Sequence, residues 1–167
     1  MADAPGLRPT PDRVRETLFN WLGQDLAGRT TLDLYAGTGA LTLEAQSRGA
    51  ALSVAIDRNA ALVRGIAGAA AAMGVEAIEL HVGDALRHLA RESRRFDVVF
   101  LDPPFADDPW RALFASLPAR LSADARVYAE AAHEIDAPAG WTRLRHDRAG
   151  SVHYHLLGLE GGRDHAR

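Results

Sequence analysis

Apolar runs and helical periodicities alternate along the chain from residue 11 onward. Val14, Leu18, Trp21 and Leu22 fall on one face at helical spacing. With Thr10 as cap and Pro11 in the first turn, they predict a helix over residues 11–22. "TTLDLYA" (30–36) reads as a buried strand, and "GTG" turns the chain into a helix over 40–48. "ALSVAID" (51–57) is a second strand. An alanine-rich helix over 59–73 follows, weakened by Gly65 and Gly68 at about 1 kcal/mol each relative to alanine. "AIELHVGD" (77–84) is a third strand, 85–93 a helix, and "FDVVFLD" (96–102) a fourth strand. A helix after Asp108, to about Leu121, leads to "ARVYAEA" (125–131) as a fifth strand. The last pattern differs: "WTRLRHDRAGSVHYHLLGL" reads as two strands around a turn at Ala149-Gly150. Strand–helix alternation closed by a hairpin implies an α/β fold, a mostly parallel sheet with an antiparallel edge. One domain over residues 1–160 is expected, with helix 11–22 packed on it and a frayed polar tail over 161–167.

Composition narrows this only a little. The chain has 167 residues, 47% apolar and 25% charged, which suits a soluble domain with a real core. Cysteine is absent, so disulfides and thiolate metal sites are excluded. The opening "MADAPGLRPT" has no apolar core of a signal peptide, and no apolar run approaches the ~20 residues of a membrane span, so the cytoplasm is expected. The net charge of −3 announces no nucleic-acid partner. All 19 basic residues are arginine. That suits bidentate phosphate recognition, but the abundant Ala, Gly and Arg are explained more simply by a GC-rich coding sequence.

The chemistry gathers at the strand ends. In open α/β sheets, ligands bind beyond the carboxyl ends of the strands. Asp33 stands near the end of the first strand, and Asp57, Asp84 and Asp102 end the next three. One such aspartate is a turn residue or a cap; four on one rim imply a shared site. Gly37 and Gly39 allow a tight turn and close approach of a ligand. A dinucleotide fingerprint would need a small residue where Thr42 stands, and an acidic rim disfavours a pyrophosphate. Asp57 follows Gly37 by 20 residues, a spacing that suits ribose hydroxyls, and Asp84 can accept from an adenine amine. A ligand carrying adenine, ribose and a positive charge matches S-adenosylmethionine. In Asp102-Pro103-Pro104-Phe105 the carboxylate and the Pro103 carbonyl can hold the two hydrogens of an exocyclic base amine, and Phe105 offers a ring for stacking.

"LDLYAGTGALTLEAQSRGA", Asp57, Gly83-Asp84 and "DPPF" together resemble the class I S-adenosylmethionine-dependent amino-methyltransferases. The opening "GLRPTPDRVRETLFNWL" is more specific and resembles the RsmD family of bacterial ribosomal RNA methyltransferases, from about Gly6 to Leu159. The resemblance implies a Rossmann-like fold, with a seven-stranded sheet and helices on both faces. It implies methylation of the exocyclic N2 of guanine 966 in 16S rRNA, on the small subunit or its assembly intermediate. By the same resemblance Arg8, Thr10, Asp33, Tyr35, Ala36, Gly37, Thr38, Gly39, Asp57, Arg58, Gly83, Asp84, Ala85 and Asp102 line the cofactor. Asp102, Pro103, Pro104 and Phe105 handle the target base; Arg8, Arg13 and Phe105 meet RNA. No metal and no membrane are implied, and a monomer is expected. The family's usual basic segment before this opening is lacking here, while Thr42 and Gln46 replace smaller or apolar residues and read as tolerated changes. An adenine-N6 methyltransferase, or a cofactor-binding domain that no longer catalyses, are the alternatives.

Several residues read more simply as structural. Glu44 and Arg94-Arg95 read as solvated, and Trp21, Trp110 and Trp141 as packing residues. The seven histidines form no metal-like constellation, although His153 and His155 share one strand face.

Overall fold

The computed structural model describes residues 11–162. Arg8, Pro9, Thr10 and the tail over 163–167 lie outside the described residues. The elements are α1 Asp12–Leu22, β1 Thr30–Asp33, α2 Ala40–Ser47, β2 Leu52–Asp57, α3 Ala60–Met73, β3 Ile78–Val82, α4 Ala85–Arg91, β4 Phe96–Leu101, α5 Trp110–Ser116, a 3-10 turn Leu117–Arg120, β5 Leu121–Ala131, β6 Trp141–Ala149 and β7 Val152–Leu159. The seven strands form one sheet in the order β3-β2-β1-β4-β5-β7-β6. Pairing is parallel from β3 through β5, and β7 runs antiparallel to both β5 and β6. This is the expected Rossmann-like sheet with its antiparallel hairpin.

The local chemistry explains the elements. Asn59 caps α3 by accepting from the Ala61 and Leu62 amides, and Gly74 closes it in the left-handed region. Leu62, Val63, Ile66 and Ala70 form its buried face, while Gly65 and Gly68 are exposed, where their lack of a side chain costs no packing. α1 starts at Asp12 with Pro11 at its cap position, and buries Val14, Leu18, Phe19 and Leu22. The helix expected after Asp108 is shorter than its sequence pattern: α5 ends at Ser116, and Pro118, which has no N–H to give, sits in a 3-10 turn. β5 then starts at Leu121, earlier than its apolar run.

Apolar residues fill both faces of the sheet. One face buries Leu32, Val99, Leu101, Val127 and Ala129 with Leu89 of α4 and Leu113 of α5. Trp110, Phe114 and Trp141 join it, Phe114 meeting Trp141 edge to face at 5.0 Å. The other face buries Phe100, Tyr128, Tyr154 and Leu156 under α1 and α2. Trp21 stacks on Tyr154 at 5.3 Å, so all three tryptophans are packing residues. Asp97 ties the start of β4 to both neighbours, accepting from the Thr30 amide and the Ser122 hydroxyl.

Two expectations about surface residues are corrected. Arg94 is not merely solvated: it pairs with Glu79 at 2.7 Å and Glu92 at 2.9 Å, and its bonds hold both carboxyls down at about 2. Arg95 donates to the Leu121 carbonyl at 2.9 Å. Glu44 pairs with Arg48 at 3.0 Å and lies 4.0 Å from Arg15 of α1. The chain is also tied beyond the sheet, since the Glu160 amide donates to the Gly140 carbonyl at 2.9 Å.

Candidate functional site

β1 lies between β2 and β4, so the connections from its two sides leave in opposite directions and open a crevice at the carboxyl ends. The register places Asp33 beside Phe100, two residues before Asp102. The glycine loop after β1 and the Asp-Pro-Pro-Phe corner after β4 are therefore neighbours, although 65 residues separate Gly37 from Asp102.

The loop is tightly built. Gly37 and Gly39 have φ of 56° and 81°, in the left-handed region that favours glycine. A Cβ at Gly39 would also come within 2.7 Å of the Ile66 side chain, so this glycine lets the loop pack against α3. Asp57 braces the turn from the next strand. Its Oδ2 accepts from the Gly37 amide and its Oδ1 from the Asn59 amide, both at 2.9 Å. Each carboxylate oxygen has a second lone pair, so this bracing leaves room for a ligand hydroxyl. Asp84 likewise caps α4, accepting from the Arg87 amide at 3.0 Å. Gly83 and Ala85 flank it, and the Gly83 amide donates to the Asp57 carbonyl. Asp57, Asp84 and the glycine loop thus converge on one side of the crevice.

Asp33 is buried, and Thr42 donates to its Oδ2 at 2.8 Å. Burial pushes its carboxyl up to about 7; the Thr42 hydroxyl and the Tyr35 backbone work against that rise, and the Asp57 charge adds to it. A carboxyl held in this state gains most from a cationic ligand. This fits a positively charged cofactor and disfavours a phosphate. Thr42 is therefore more than a tolerated change: it holds the one buried acid of the rim. Gln46, one turn on, donates to the Ser53 hydroxyl and the Ala77 carbonyl, each at 2.9 Å, and ties α2 to the sheet. Polar residues on a buried helix face opposite a strand aspartate are the sequence signal for this pairing.

Tyr35 is pushed up to about 12, mainly by burial and then by the charges of Asp84 and Asp107. Arg58 is well exposed and pairs with Asp107, beyond the Asp-Pro-Pro-Phe corner, at 3.1 Å. Ala36 is buried and Thr38 half-buried within the loop.

At the opposite wall, Asp102 is half-buried, with almost no exposed surface on its Oδ1. Pro103 is buried, and Pro104 and Phe105 are exposed. The Asp107 amide donates to the Pro104 carbonyl at 3.0 Å, folding the corner into a turn that presents the Phe105 ring. Behind Asp102 stands a pair that the sequence pattern did not single out. Tyr128 donates to Glu130 at 2.8 Å, both are buried, and the charges of Glu130 and Asp102 help burial to raise the tyrosine well above its usual range. Trp110 packs into the core. Arg13 is exposed on the first turn of α1, near enough to Tyr154 for its charge to be felt there. Among the described residues, no group of three or more His, Asp or Glu can hold a metal ion. No described helix is long and apolar enough to cross a membrane.

Comparison with known proteins agrees with this geometry. The family model described as conserved hypothetical protein 95 matches residues 1–158. The ribosomal RNA small subunit methyltransferase D of Escherichia coli K12 is 37% identical over 95% of this chain and 82% of its own length. The protein of the same name from Haemophilus influenzae is 33% identical over 92% of this chain and 84% of its own. Among solved structures, a putative methyltransferase, yhhF, from Escherichia coli superposes with a TM-score of 0.85 at 37% identity, covering 95% of this chain and 90% of that one. Sequence, fold and crevice thus agree, and the chain belongs to the conserved hypothetical protein 95 family, the RsmD family of ribosomal RNA methyltransferases.

Proposed function

We propose that this chain transfers the methyl group of S-adenosylmethionine to the exocyclic N2 of guanine 966 in 16S rRNA of the small ribosomal subunit or its assembly intermediate. The observation that carries the reading is the juxtaposition, at the β1–β4 crevice, of the glycine loop with the Asp102-Pro103-Pro104-Phe105 corner, in a member of this family. The chain acts as a single-domain monomer in the cytoplasm.

The cofactor supplies a methyl group already activated on a sulfonium. The protein's task is to align a weak nucleophile with it. Asp33, Ala36, Gly37 and Gly39 border its charged end. Asp57 accepts from ribose hydroxyls, and Asp84 with Ala85 borders the adenine. Phe105 stacks on a base turned out of its helix, a contact worth about 1–3 kcal/mol. The Asp102 carboxylate and the Pro103 carbonyl accept the two amine hydrogens, which draws the nitrogen toward a tetrahedral form with its lone pair free. With the cofactor bound, its sulfonium would give up the methyl group to this lone pair and keep the S–C bonding pair on sulfur. The nitrogen then loses one proton to Asp102, which passes it to solvent. The Pro103 carbonyl is suited to this because the stiff ring fixes its direction.

The experiment is direct. Incubate the protein with labelled S-adenosylmethionine and small subunits lacking this methylation, then digest the RNA and separate nucleosides. N2-methylguanosine is expected. N6-methyladenosine would replace this reading with the adenine one. Cofactor binding by calorimetry without any methylated product would leave a binding domain.

A further inference from the structure

The rim that holds the crevice continues past β5 into the antiparallel hairpin. Leu101 is level with Ala129 of β5, and Ala131, two residues on, pairs with His153 of β7. His153 pairs in turn with Arg148 of β6. The hairpin tip, Ala149 to Val152, therefore stands on the same rim as Asp102. At about 4.8 Å per strand, His153 lies roughly 10 Å and Arg148 roughly 15 Å across the sheet from the Asp102 corner.

This end of the rim carries an exposed arginine and a cluster of stacked imidazole rings. His146 and His153 share a hydrogen bond of 3.0 Å with rings parallel to within 4°. His146 also stacks on His155 at 4.9 Å. Arg148 is exposed, its Nε donating to the Gly150 carbonyl at 2.6 Å, so the guanidinium lies along the tip. His133, on the exposed loop after β5, faces the same cluster. The acids nearby are Glu134, which is engaged by Arg143 at 2.6 Å, and Asp136 and Asp147, both exposed. Two groups register the local potential. His153 is held below its usual range by burial and then by the positive charges of His146 and Arg148. Burial, with His146 and Arg143 adding to it, pushes His155 down to about 4, although its bond to the Ala129 carbonyl opposes this. Arg148 therefore carries the charge at the tip, and the imidazole rings beside it add N–H donors and stacking faces for a phosphate and its base.

We propose that the hairpin tip, centred on Arg148, His153 and His146 with His133 beside them, is a docking surface for RNA phosphates flanking the target base. The proposal rests on the reading of the substrate as RNA. It places the electrostatic footprint on the far side of the corner from the acidic cofactor half. That division avoids setting phosphates beside Asp57 and Asp84.

The test compares two substitutions of equal charge change on opposite rims. Arg148→Glu alters the hairpin tip. Arg120→Glu alters the 3-10 turn before β5, at the other end of the strands. Binding of labelled single-stranded RNA and of unmethylated small subunits is measured against salt, with melting temperature and cofactor affinity as controls. Arg148→Glu is expected to weaken RNA binding about tenfold and to flatten the slope of log affinity against log salt by about 1. Arg120→Glu should change affinity by less than about twofold. His153→Ala should weaken binding a few-fold. In the wild type, added RNA should shift the ring-proton signals of His146 and His153. Equal losses for the two arginine variants, or an unmoved salt slope, would overturn the docking surface even with methyl transfer intact. Normal RNA binding without methylated product would instead sink the proposed function and leave the docking surface standing.

Discussion

On the β1–β3 half of the rim, each strand runs into a loop that starts a helix, and its carboxylate is spent locally. Asp57 braces the Gly37 turn, and Asp84 caps α4. On the hairpin half, no helix follows β6, and the tip is built by cross-strand pairing of Arg148 with His153. The first half is acidic and can be read along the chain, because caps and turns lie within a few residues of what they stabilise. The second presents Arg148 among stacked imidazole rings and arises from register between residues that carry no shared motif. Between them stands the Asp102 corner, with Tyr128 and Glu130 behind it. On this reading one sheet offers a cation site and an anion surface on one edge, separated by the residues that would hold the acceptor amine.

The largest expected effect lies at the boundary. Asp102→Ala should lower the rate of methyl transfer by about 10²–10⁴-fold, the range of a lost acid–base group, while calorimetry still shows cofactor binding. Equal loss of cofactor affinity would move Asp102 to the acidic half. Asp57→Ala should come next. It removes the acceptor of two backbone amides, each bond to a charged group being worth about 1.5–3 kcal/mol, and should weaken the cofactor at least tenfold with little change in RNA affinity. The hairpin variant Arg148→Glu should do the reverse, and a matched loss of cofactor binding would erase the contrast between the halves.

Thr42→Val is a smaller probe. Losing its bond to Asp33, worth about 0.5–1.5 kcal/mol, should raise that carboxyl further and weaken the cofactor several-fold near neutral pH. The pH trends follow from the same groups. Asp33 sits at about 7, above its ordinary value of 3.8, so the folded chain binds more protons than the unfolded one between those values. Its contribution to stability is full below about 4 and is lost as pH rises through 7. Cofactor affinity should run the other way, rising between pH 6 and 8 as a cationic ligand expels the proton, with proton release detectable by calorimetry in two buffers. His155 sits at about 4, below its ordinary 6.5, chiefly because burial penalises its charged form; the neutral ring accepts from the Ile135 amide at Nε2. Its contribution is full above 6.5 and is lost as pH falls toward 4. Melting temperature followed across this range in His155→Gln should show a weaker acid-side loss than the wild type.

The parallel sheet, its closing hairpin, the glycine loop and the four aspartates were all legible before the fold was known. Alternating apolar segments, Gly37-Thr38-Gly39 and the proline corner depend on local rules of period, turn and cap. Element ends were less legible. The 3-10 turn at Leu117–Arg120 took residues from both α5 and its expected length, because Pro118 cannot extend a helix by its own N–H. Arg94 looked like a solvated turn residue, since Glu79 lies 15 residues away on β3. Thr42 and Gln46 looked tolerated, since their partners Asp33 and Ser53 lie on the sheet beneath α2.

The amino-acid sequence by itself determined which residues could do chemistry: a run of carboxylates at strand ends, a flexible glycine loop and a stiff corner bearing a ring. Each is a property of a few adjacent residues. Only the tertiary structure decided what those residues face. Placing β1 between β2 and β4 set Asp33 two residues short of Asp102, and pairing β5 with β7 put Tyr154 and His153 beside Glu130 and Ala131. Strand order and register bring together residues far apart in the chain, and burial then sets their charge, as the rise of Asp33 to about 7 and the fall of His155 to about 4 both show.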